Sequence, residues 1–124
     1  MQKSPDKNPV LVKSYAFALR TIKVYQFLAK KKQEFVLSKQ FLRSGTSIGA
    51  NIKEGIYAQS RKEFIAKLNI SLKEAHESEY WIFLMRDSGY LTVIQAQSLL
   101  KDVDELIRLL TSIIKTSRKN NSTF

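Results

Sequence analysis

The positions of the residues that interrupt helices constrain this chain more than any other feature of its sequence. Both prolines, Pro5 and Pro9, lie near the N-terminus, and all four glycines follow residue 44. The long stretches between these residues contain nothing that would break a helix. Within them, apolar residues recur at alternating spacings of three and four, which is the period of an amphipathic helix. The pattern predicts an all-α chain.

The first half of the chain contains two of the predicted helices. The first begins after Asn8 as its N-cap, with Pro9 at the first helical position. It ends near three lysines, whose charges suit the negative end of the helix dipole. Its expected core face comprises Leu11, Tyr15, Ala18, Ile22, Tyr25 and Ala29. The expected core face of the second helix comprises Leu37, Phe41, Gly45, Ile48, Ile52 and Ile56.

Two capping boxes mark the starts of the third and fourth helices. Ser60 with Glu63 forms the first box, and Thr92 with Gln95 forms the second. Gly89 is the expected stop between these helices. The apolar series are Phe64, Leu68, Leu72, Ala75 and Ile82 in the third helix, and Val93, Ala96, Leu100, Val103, Ile107, Leu110 and Ile114 in the fourth.

Four helices of similar length joined by short turns predict an up-down-up-down four-helix bundle. We place this bundle in residues 9–116, as the only domain of the chain. Residues 1–8 are expected to form a disordered N-terminal tail. Residues 117–124 are expected to form a polar, frayed C-terminal tail.

Residues 43–55, RSGTSIGANIKEG, have two interpretations: a phosphate-binding loop, or a helix kept thin for close packing. A P-loop requires Gly-x-x-x-x-Gly-Lys-Ser/Thr, whereas Gly45 and Gly49 are four residues apart and no Lys-Ser/Thr follows. In a helix, each glycine costs about 1 kcal/mol relative to alanine. We therefore expect a neighbouring helix to pack closely here and offset that cost.

Catalytic and metal chemistry find little support in the sequence. The absence of cysteine excludes disulfides, thiolate metal sites and cysteine nucleophiles. The sole histidine, His76, follows Lys73 by three residues, so the Glu-x-x-His pair of a di-iron bundle is missing. Ser44 and Ser47 lack a Gly-x-Ser-x-Gly elbow. We expect no enzymatic activity, no cofactor and no metal site.

Hydropathy and local charge add two expectations. No segment approaches the roughly 18 apolar residues of a membrane span, so we expect a soluble, cytoplasmic protein without a membrane partner. Glu54 and Glu74 stand beside small or apolar residues, and we expect them to form buried pairs with cations such as Arg43 or Lys73 in an architectural role.

The net charge of +10 is unevenly distributed. Residues 1–62 contain 13 basic and 3 acidic residues, whereas residues 63–124 contain 8 of each. This asymmetry favours a polyanionic partner, most often nucleic acid, although a solvated surface that aids solubility is the alternative. Phosphate contacts alone imply little sequence specificity. The candidate contact residues are Lys13, Arg20, Lys23, Lys30, Lys31, Lys32, Lys39, Arg43, Lys53, Arg61 and Lys62.

The helices carry more apolar residues than one core stripe requires. Such a surplus is typical of an interface between subunits, although a broad core stripe with scattered exposed apolar residues is the alternative. Rings interleaved with basic residues on the first helix could also stack on bases, but we favour a subunit contact. The expected interface residues of a homo-oligomer are Phe17, Phe27, Tyr80, Trp81, Phe83, Leu99, Leu106 and Ile113.

Three runs of sequence carry a resemblance to a known family. They are LRSGTSIGANIKEG from residue 42, AQSRKEFIAKLNISLKEAHESEYW from residue 58 and RDSGYL from residue 86. Over roughly residues 10–115, the chain resembles the four helix bundle proteins encoded by intervening sequences in bacterial 23S rRNA genes. The resemblance implies a homopentamer of four-helix protomers. It also implies kinship with the accessory variability proteins of diversity-generating retroelements, which bind a reverse transcriptase and nucleic acid.

Lys53 departs from the family pattern, which has a small residue, often alanine, at this place. The departure adds one positive charge, and we expect the site to be more exposed here or to pair with an acid. The biochemical role of the rRNA-linked members is undefined. Our first hypothesis is therefore a non-enzymatic oligomer that binds RNA or DNA with little sequence specificity. The alternative is a protein-interaction scaffold, with a partner such as a reverse transcriptase.

Overall fold

Four α-helices make up the fold of this chain. The computed structural model describes residues 8–122, and side chains up to residue 119. Its elements are α1 (Pro9–Lys32), α2 (Leu37–Ile56), α3 (Arg61–Asp87) and α4 (Val93–Ser122), and none of these described residues forms a strand. Each helix packs against its neighbours in the sequence, and a smaller contact between α1 and α4 closes the ring. The predicted all-α four-helix architecture is confirmed.

The helix ends follow the capping signals in the sequence. Asn8 accepts a hydrogen bond from the Val10 N–H and caps α1. Ser60 accepts from the Glu63 N–H at 3.1 Å and caps α3. The backbone of Gly89 has a φ of +88°, which stops the chain after α3. The second capping box is also formed, with 2.9 and 3.1 Å bonds between Thr92 and Gln95.

The C-terminal end of α4 differs from the expectation. The helix continues to Ser122, through the segment expected to fray, and Ser117 is buried. The continuation brings the last basic residues of the chain onto the bundle. The predicted N-terminal tail, up to residue 7, lies outside the described residues.

The N-terminus of α2 is capped by Glu34, a role that the sequence did not reveal. Its side-chain carboxylate accepts hydrogen bonds from the backbone N–H groups of Val36, Leu37 and Ser38 at 2.8 to 2.9 Å. The residue is only 7% exposed. Burial opposes ionisation, but the hydrogen bonds from Ser38, Leu37 and Val36 outweigh it, so the pKa of Glu34 lies below its ordinary value of 4.5.

The contact between α1 and α2 is built from small residues. A Cβ atom at Gly45 would overlap Cγ2 of Thr21, and one at Gly49 would lie 3.1 Å from Oγ of Ser14. Thr21 and Ser14 are fully buried. Their hydroxyls donate to carbonyl oxygens one turn earlier in α1, so no polar group is left unpaired. The expected close approach at the two glycines is confirmed.

This contact corrects the predicted core face of α1. Tyr15 and Ile22, expected in the core, are exposed. The apolar pattern predicted the wrong face of α1 because polar residues occupy two of its buried positions and interrupt the apolar series. The observed core face of the helix comprises Val10, Leu11, Ser14, Phe17, Thr21 and Leu28.

Three of the expected interface residues also lie in the core. Phe17, Leu99 and Leu106 are at most 2% exposed, and the Phe17 ring packs edge to face against Phe41 with centroids 5.9 Å apart. They are buried because each helix of the bundle touches two neighbours and therefore buries a broad stripe. Trp81 and Ile113 are partly buried against the same core, whereas Phe27, Tyr80 and Phe83 are exposed. Their role at an interface stays a prediction.

We predict that Gly45→Ala destabilises the protein, although alanine favours helix by about 1 kcal/mol. The added methyl group must displace Thr21, and overpacking of this kind typically costs about 1 to 3 kcal/mol. We expect a net loss of about 1 kcal/mol in urea unfolding. As the control, Thr21→Ala removes the obstructing side-chain atoms. The Gly45→Ala, Thr21→Ala double variant should therefore lose less free energy of unfolding than the sum of the losses of the two single variants. A Gly45→Ala variant as stable as the wild type would contradict the close contact.

We predict that Glu34→Gln lowers stability by about 1 kcal/mol at pH 7, the usual effect of weakening an N-cap. Because the folded-state pKa of Glu34 is lowered, the ionised cap stabilises the fold above the ordinary glutamate pKa. This stabilisation is lost as the pH falls through the pKa of Glu34 in the folded state. The difference between wild type and variant in urea unfolding should therefore shrink by about pH 3. The control Glu79→Gln should have little effect, and an equal Glu34→Gln effect at both pH values would exclude an ionised cap.

Candidate nucleic-acid interface

The eleven predicted basic residues do not share one surface. Because neighbouring helices are antiparallel, the chain turns define two ends of the bundle. The α1–α2 end carries the turns after α1 and α3, and the α2–α3 end carries the turn between α2 and α3 with the last turns of α4. Lys39 and Lys53 lie near opposite ends, about 21 Å apart along α2. Lys30, Lys31, Lys32 and Lys39 belong to the α1–α2 end, and Lys53, Arg61 and Lys62 belong to the α2–α3 end.

Two candidates on α1 form ion pairs with α4. The Arg20 guanidinium donates to Asp102 Oδ2 at 2.7 Å and to the backbone and side-chain oxygens of Ser98 at 3.1 and 2.8 Å. Lys13 Nζ lies 3.2 Å from Glu105 Oε2. These pairs span the smallest helix contact of the bundle, between α1 and α4. Acidic groups thus partly neutralise Lys13 and Arg20, which makes both weaker candidates for phosphate contacts.

Arg43 belongs to an ionic cluster between α2 and α3. Its guanidinium contacts the carboxylates of both Glu74 and Glu77. The indole N–H of Trp81 donates to the same Glu77 carboxylate at 2.9 Å. The structure therefore pairs Glu74 with Arg43, as expected, and this architectural cluster removes Arg43 from the basic surface.

Glu54 is the other carboxylate expected to pair with a cation. Its partner is Lys67 of α3, with Nζ 2.8 Å from Glu54 Oε1. The hydrogen bond that Lys67 donates to this carboxylate raises the pKa of Lys67. The Glu54 side chain is 58% exposed, so this pair lies on the surface and is not the buried pair that was expected. Glu54 is the only acidic residue of α2, and Glu63 in the first turn of α3 is the other carboxylate near the turn.

Both ends of the bundle carry predicted cations that form no ion pair in the described part of the chain: Lys30, Lys31, Lys32 and Lys39 at the α1–α2 end, and Lys53, Arg61 and Lys62 at the α2–α3 end. All of them are exposed. At the α2–α3 end the last turns of α4 contribute the positive charges of Arg118 and Lys119, and α4 has no acidic residue after Glu105. The sequence reading missed this contribution of α4 because it averaged charge over the whole second half. Counting charge after Glu105 alone would have found it.

Tyr57 also lies at the α2–α3 end, and the sequence did not predict it as part of a binding surface. It is the C-cap of α2 and is 71% exposed. Nζ of Lys53 lies 5.3 Å from the centre of the ring. Lys53 is thus exposed, as its departure from the family pattern suggested, but it contacts an aromatic ring instead of an acid. The available signal was the four-residue spacing of Lys53, Tyr57 and Arg61.

Every helix N-terminus has a side-chain cap. Asn8, Ser60 and Thr92 each accept one first-turn N–H, from Val10, Glu63 and Gln95 respectively. Glu34 accepts three N–H groups and places a negative charge at the start of α2, which disfavours an anion there.

A different kind of surface lies between α1 and α4 at the α1–α2 end. An apolar groove of about 410 Å³ is lined by Val24, Phe27, Leu91 and Ile94, with Lys23 among its basic lining residues. Ile94 is 78% exposed, and Phe35 and Val36 are exposed in the turn at the same end. The structure places Phe27 in this groove, away from Tyr57.

Two further observations concern chemistry and membranes. Among the described residues, no three histidine or carboxylate side chains come together as a metal site, and His76 is exposed on α3. Within the same residues, no helix is both long and apolar enough to cross a membrane.

Comparisons with known proteins agree with the resemblance seen in the sequence. Residues 6–112 match the model of the 23S rRNA-intervening sequence protein family. A crystal structure of a protein with unknown function from the S23 ribosomal protein family of Bacteroides thetaiotaomicron VPI-5482 is 55% identical, with a TM-score of 0.85. The match covers 86% of this chain and 98% of that one. No curated protein matches significantly. The chain belongs to the 23S rRNA-intervening sequence protein family.

Proposed function

We propose that this chain forms a non-enzymatic, cytoplasmic homo-oligomer that binds RNA or DNA with little sequence specificity, through the α2–α3 end. The observation that carries the proposal is the cluster of Lys53, Arg61 and Lys62, exposed and without ion pairs in the described structure. Arg118 and Lys119 add positive charge at the same end.

The mechanism is the release of counterions from nucleic acid when lysine and arginine side chains neutralise its phosphates. The ion pairs elsewhere in the bundle support this location, because they occupy Lys13, Arg20 and Arg43. Unpaired cations are left at both ends, and the α2–α3 end combines them with an exposed tyrosine that has a lysine at its ring. Such contacts position a nucleic acid without reading its bases, which accounts for the low sequence specificity.

The oligomer is supported by a second apolar stripe on α1. Val12, Tyr15, Leu19 and Ile22 recur at spacings of three and four on the face turned away from the core, and all four are exposed. The stripe lacks competing charge because Lys13 and Arg20 turn towards α4. Burial of an apolar stripe can overcome the mutual repulsion of chains that each carry a charge of +10. Five subunits are proposed from the family resemblance, and each added copy multiplies the cationic contacts.

A second candidate function is a protein-interaction scaffold. The apolar groove between α1 and α4 favours it, because Phe27 and Ile94 are exposed beside a cavity large enough for an apolar side chain of a partner. A reverse transcriptase is the partner that the resemblance suggests. The two functions differ in their response to salt: binding in an apolar groove is insensitive to salt, whereas binding to phosphates weakens steeply.

We predict that the wild-type protein binds labelled RNA and DNA in fluorescence anisotropy, with log affinity falling linearly with log salt. Replacing Lys53, Arg61 and Lys62 with glutamine should reduce the magnitude of the slope by about 2 to 3, because three phosphate contacts are lost. Oligonucleotides of unrelated sequence should bind alike.

The matched control replaces Lys30, Lys31 and Lys32 with glutamine, which removes the same charge from the α1–α2 end. We expect a smaller change in slope for this variant. The opposite ranking would move the binding surface to the α1–α2 end, and a wild-type protein that binds neither RNA nor DNA at low salt would refute nucleic-acid binding.

We predict that sedimentation velocity gives the wild-type protein the mass of several chains, five in our proposal, and that Leu19→Glu shifts it to a monomer. A carboxylate in the apolar stripe of α1 would be buried without a partner on association. Gln97→Glu introduces the same charge on the exposed face of α4 and should leave the mass unchanged. A monomeric wild-type protein at micromolar concentration would contradict the oligomer.

A further inference from the structure

Tyr57 is the most accessible aromatic ring of the basic α2–α3 end, and its surroundings leave it open to a ligand. The ring is 71% exposed, and within the described residues its hydroxyl has no hydrogen-bond partner. Lys53 approaches the ring at 5.3 Å from the centroid. A lysine that lies over one face of a ring leaves the opposite face free for a second planar group.

The charges around the ring favour an anionic ligand. Arg61 and Lys62 begin α3 only four and five residues after Tyr57. The neighbouring acids are already engaged: Glu54 pairs with Lys67 at 2.8 Å, and Glu63 accepts the backbone N–H of Gln59 at 3.2 Å. Lys53, Arg61, Lys62 and Lys67 outnumber Glu54 and Glu63 at this turn, so the net local charge is positive.

The turn after Tyr57 forms an open depression. It has a volume of about 420 Å³, and its lining includes Gly55, Ala58, Gln59, Ser60 and Arg61 but not Tyr57 itself. A flexible strand stacked on the exposed ring can pass over this depression with its phosphates near Arg61. A rigid duplex cannot follow so short a turn, and its base faces are hidden in the stack.

We infer that the α2–α3 end binds single-stranded nucleic acid, with a base stacked on Tyr57 while Lys53, Arg61 and Lys62 contact the adjoining phosphates. This inference rests on the proposed function and narrows its ligand to strands with unpaired bases. An aromatic ring among cations is the arrangement by which proteins hold single strands without reading their sequence, since every base has a face that can stack.

The inference distinguishes Tyr57 from the other exposed tyrosines. Tyr80 packs edge to face against Trp81 with centroids 5.2 Å apart, beside the ionic cluster that contains Glu77. Tyr15 lies in the apolar stripe of α1. Tyr57 alone among these three has a lysine at its ring and basic residues on the next turn.

The test measures the anisotropy of three labelled ligands: a short oligothymidylate, a duplex of the same length, and an abasic deoxyribose phosphate strand of the same length. The abasic strand presents the phosphates without bases. The wild-type protein should bind oligothymidylate about tenfold more tightly than the abasic strand, a ratio within the range for stacking one base.

Tyr57→Ala should weaken binding of oligothymidylate about tenfold and leave binding of the duplex and the abasic strand within about twofold of the wild-type value. Tyr57→Leu should show the same loss, because it keeps an apolar side chain but cannot stack. Tyr57→Trp should retain binding, and the new indole should be quenched by oligothymidylate but not by the abasic strand. Phe35→Ala, which removes an exposed ring at the opposite end of the bundle, is the matched control and should change none of the three affinities.

The outcomes separate this inference from the function on which it rests. If the wild-type protein binds neither strand nor duplex at low salt, both are overturned. If it binds all three ligands but Tyr57→Ala and Tyr57→Leu bind oligothymidylate like the wild type, nucleic-acid binding stands and base stacking at Tyr57 is overturned. Circular dichroism of each variant checks that α2 and α3 are intact.

Discussion

The close contact between α1 and α2 determines much of what the rest of the molecule can do. Two glycines of α2 face α1: a Cβ atom at Gly45 would overlap Thr21, and one at Gly49 would lie only 3.1 Å from Oγ of Ser14. This packing fixes the rotation of α1 about its own axis. With that rotation set, Phe17 must point into the core, Arg20 must point towards α4, and Leu19 must point outwards. The apolar stripe on the surface of α1 is thus a consequence of small polar residues in its core face.

The same rotation of α1 determines which of its charged side chains form ion pairs. It brings Lys13 and Arg20 of α1 to the acidic N-terminal half of α4, where Glu105 and Asp102 pair with them. Surface pairs of this kind contribute about 1 kcal/mol or less each to stability. Their larger effect is on the electrostatic field, because they neutralise the middle of the bundle. Uncompensated positive charge is left at the two ends, and of these only the α2–α3 end also carries an exposed aromatic ring with a lysine at its face.

The sequence predicted the parts of the fold that depend on local physics. Capping boxes, the stop at Gly89 and the helical period depend on residues within one turn of each other, so they placed α3 and the start of α4 closely. The face of α1 depends on a long-range contact with α2, and there the polar character of Ser14 and Thr21 was misleading. Glu34 escaped notice for a related reason: it caps α2 from four residues before Ser38, outside the usual spacing of a capping box.

The candidate site was harder to predict than the fold. In the folded protein, an acidic side chain of another helix contacts some basic residues and not others. Which basic residues are contacted depends on the rotation and register of the helices. Arg43 and Arg61 are both arginines near the surface, yet two glutamates of α3 engage the first, whereas the second begins α3 without an ion-pair partner in the described structure. Tyr57 was overlooked because it ends an apolar series, where an aromatic residue suggests packing.

Some residues of the α2–α3 end can be substituted with little disturbance of the fold. Lys53 and Tyr57 are exposed and lie outside the core, whereas Arg43 ties α2 to α3 through Glu74 and Glu77. A small residue and a lysine are therefore both compatible with packing at position 53. Exposed ends of this kind can change their side chains while the four helices stay the same, so one bundle architecture can carry different functions.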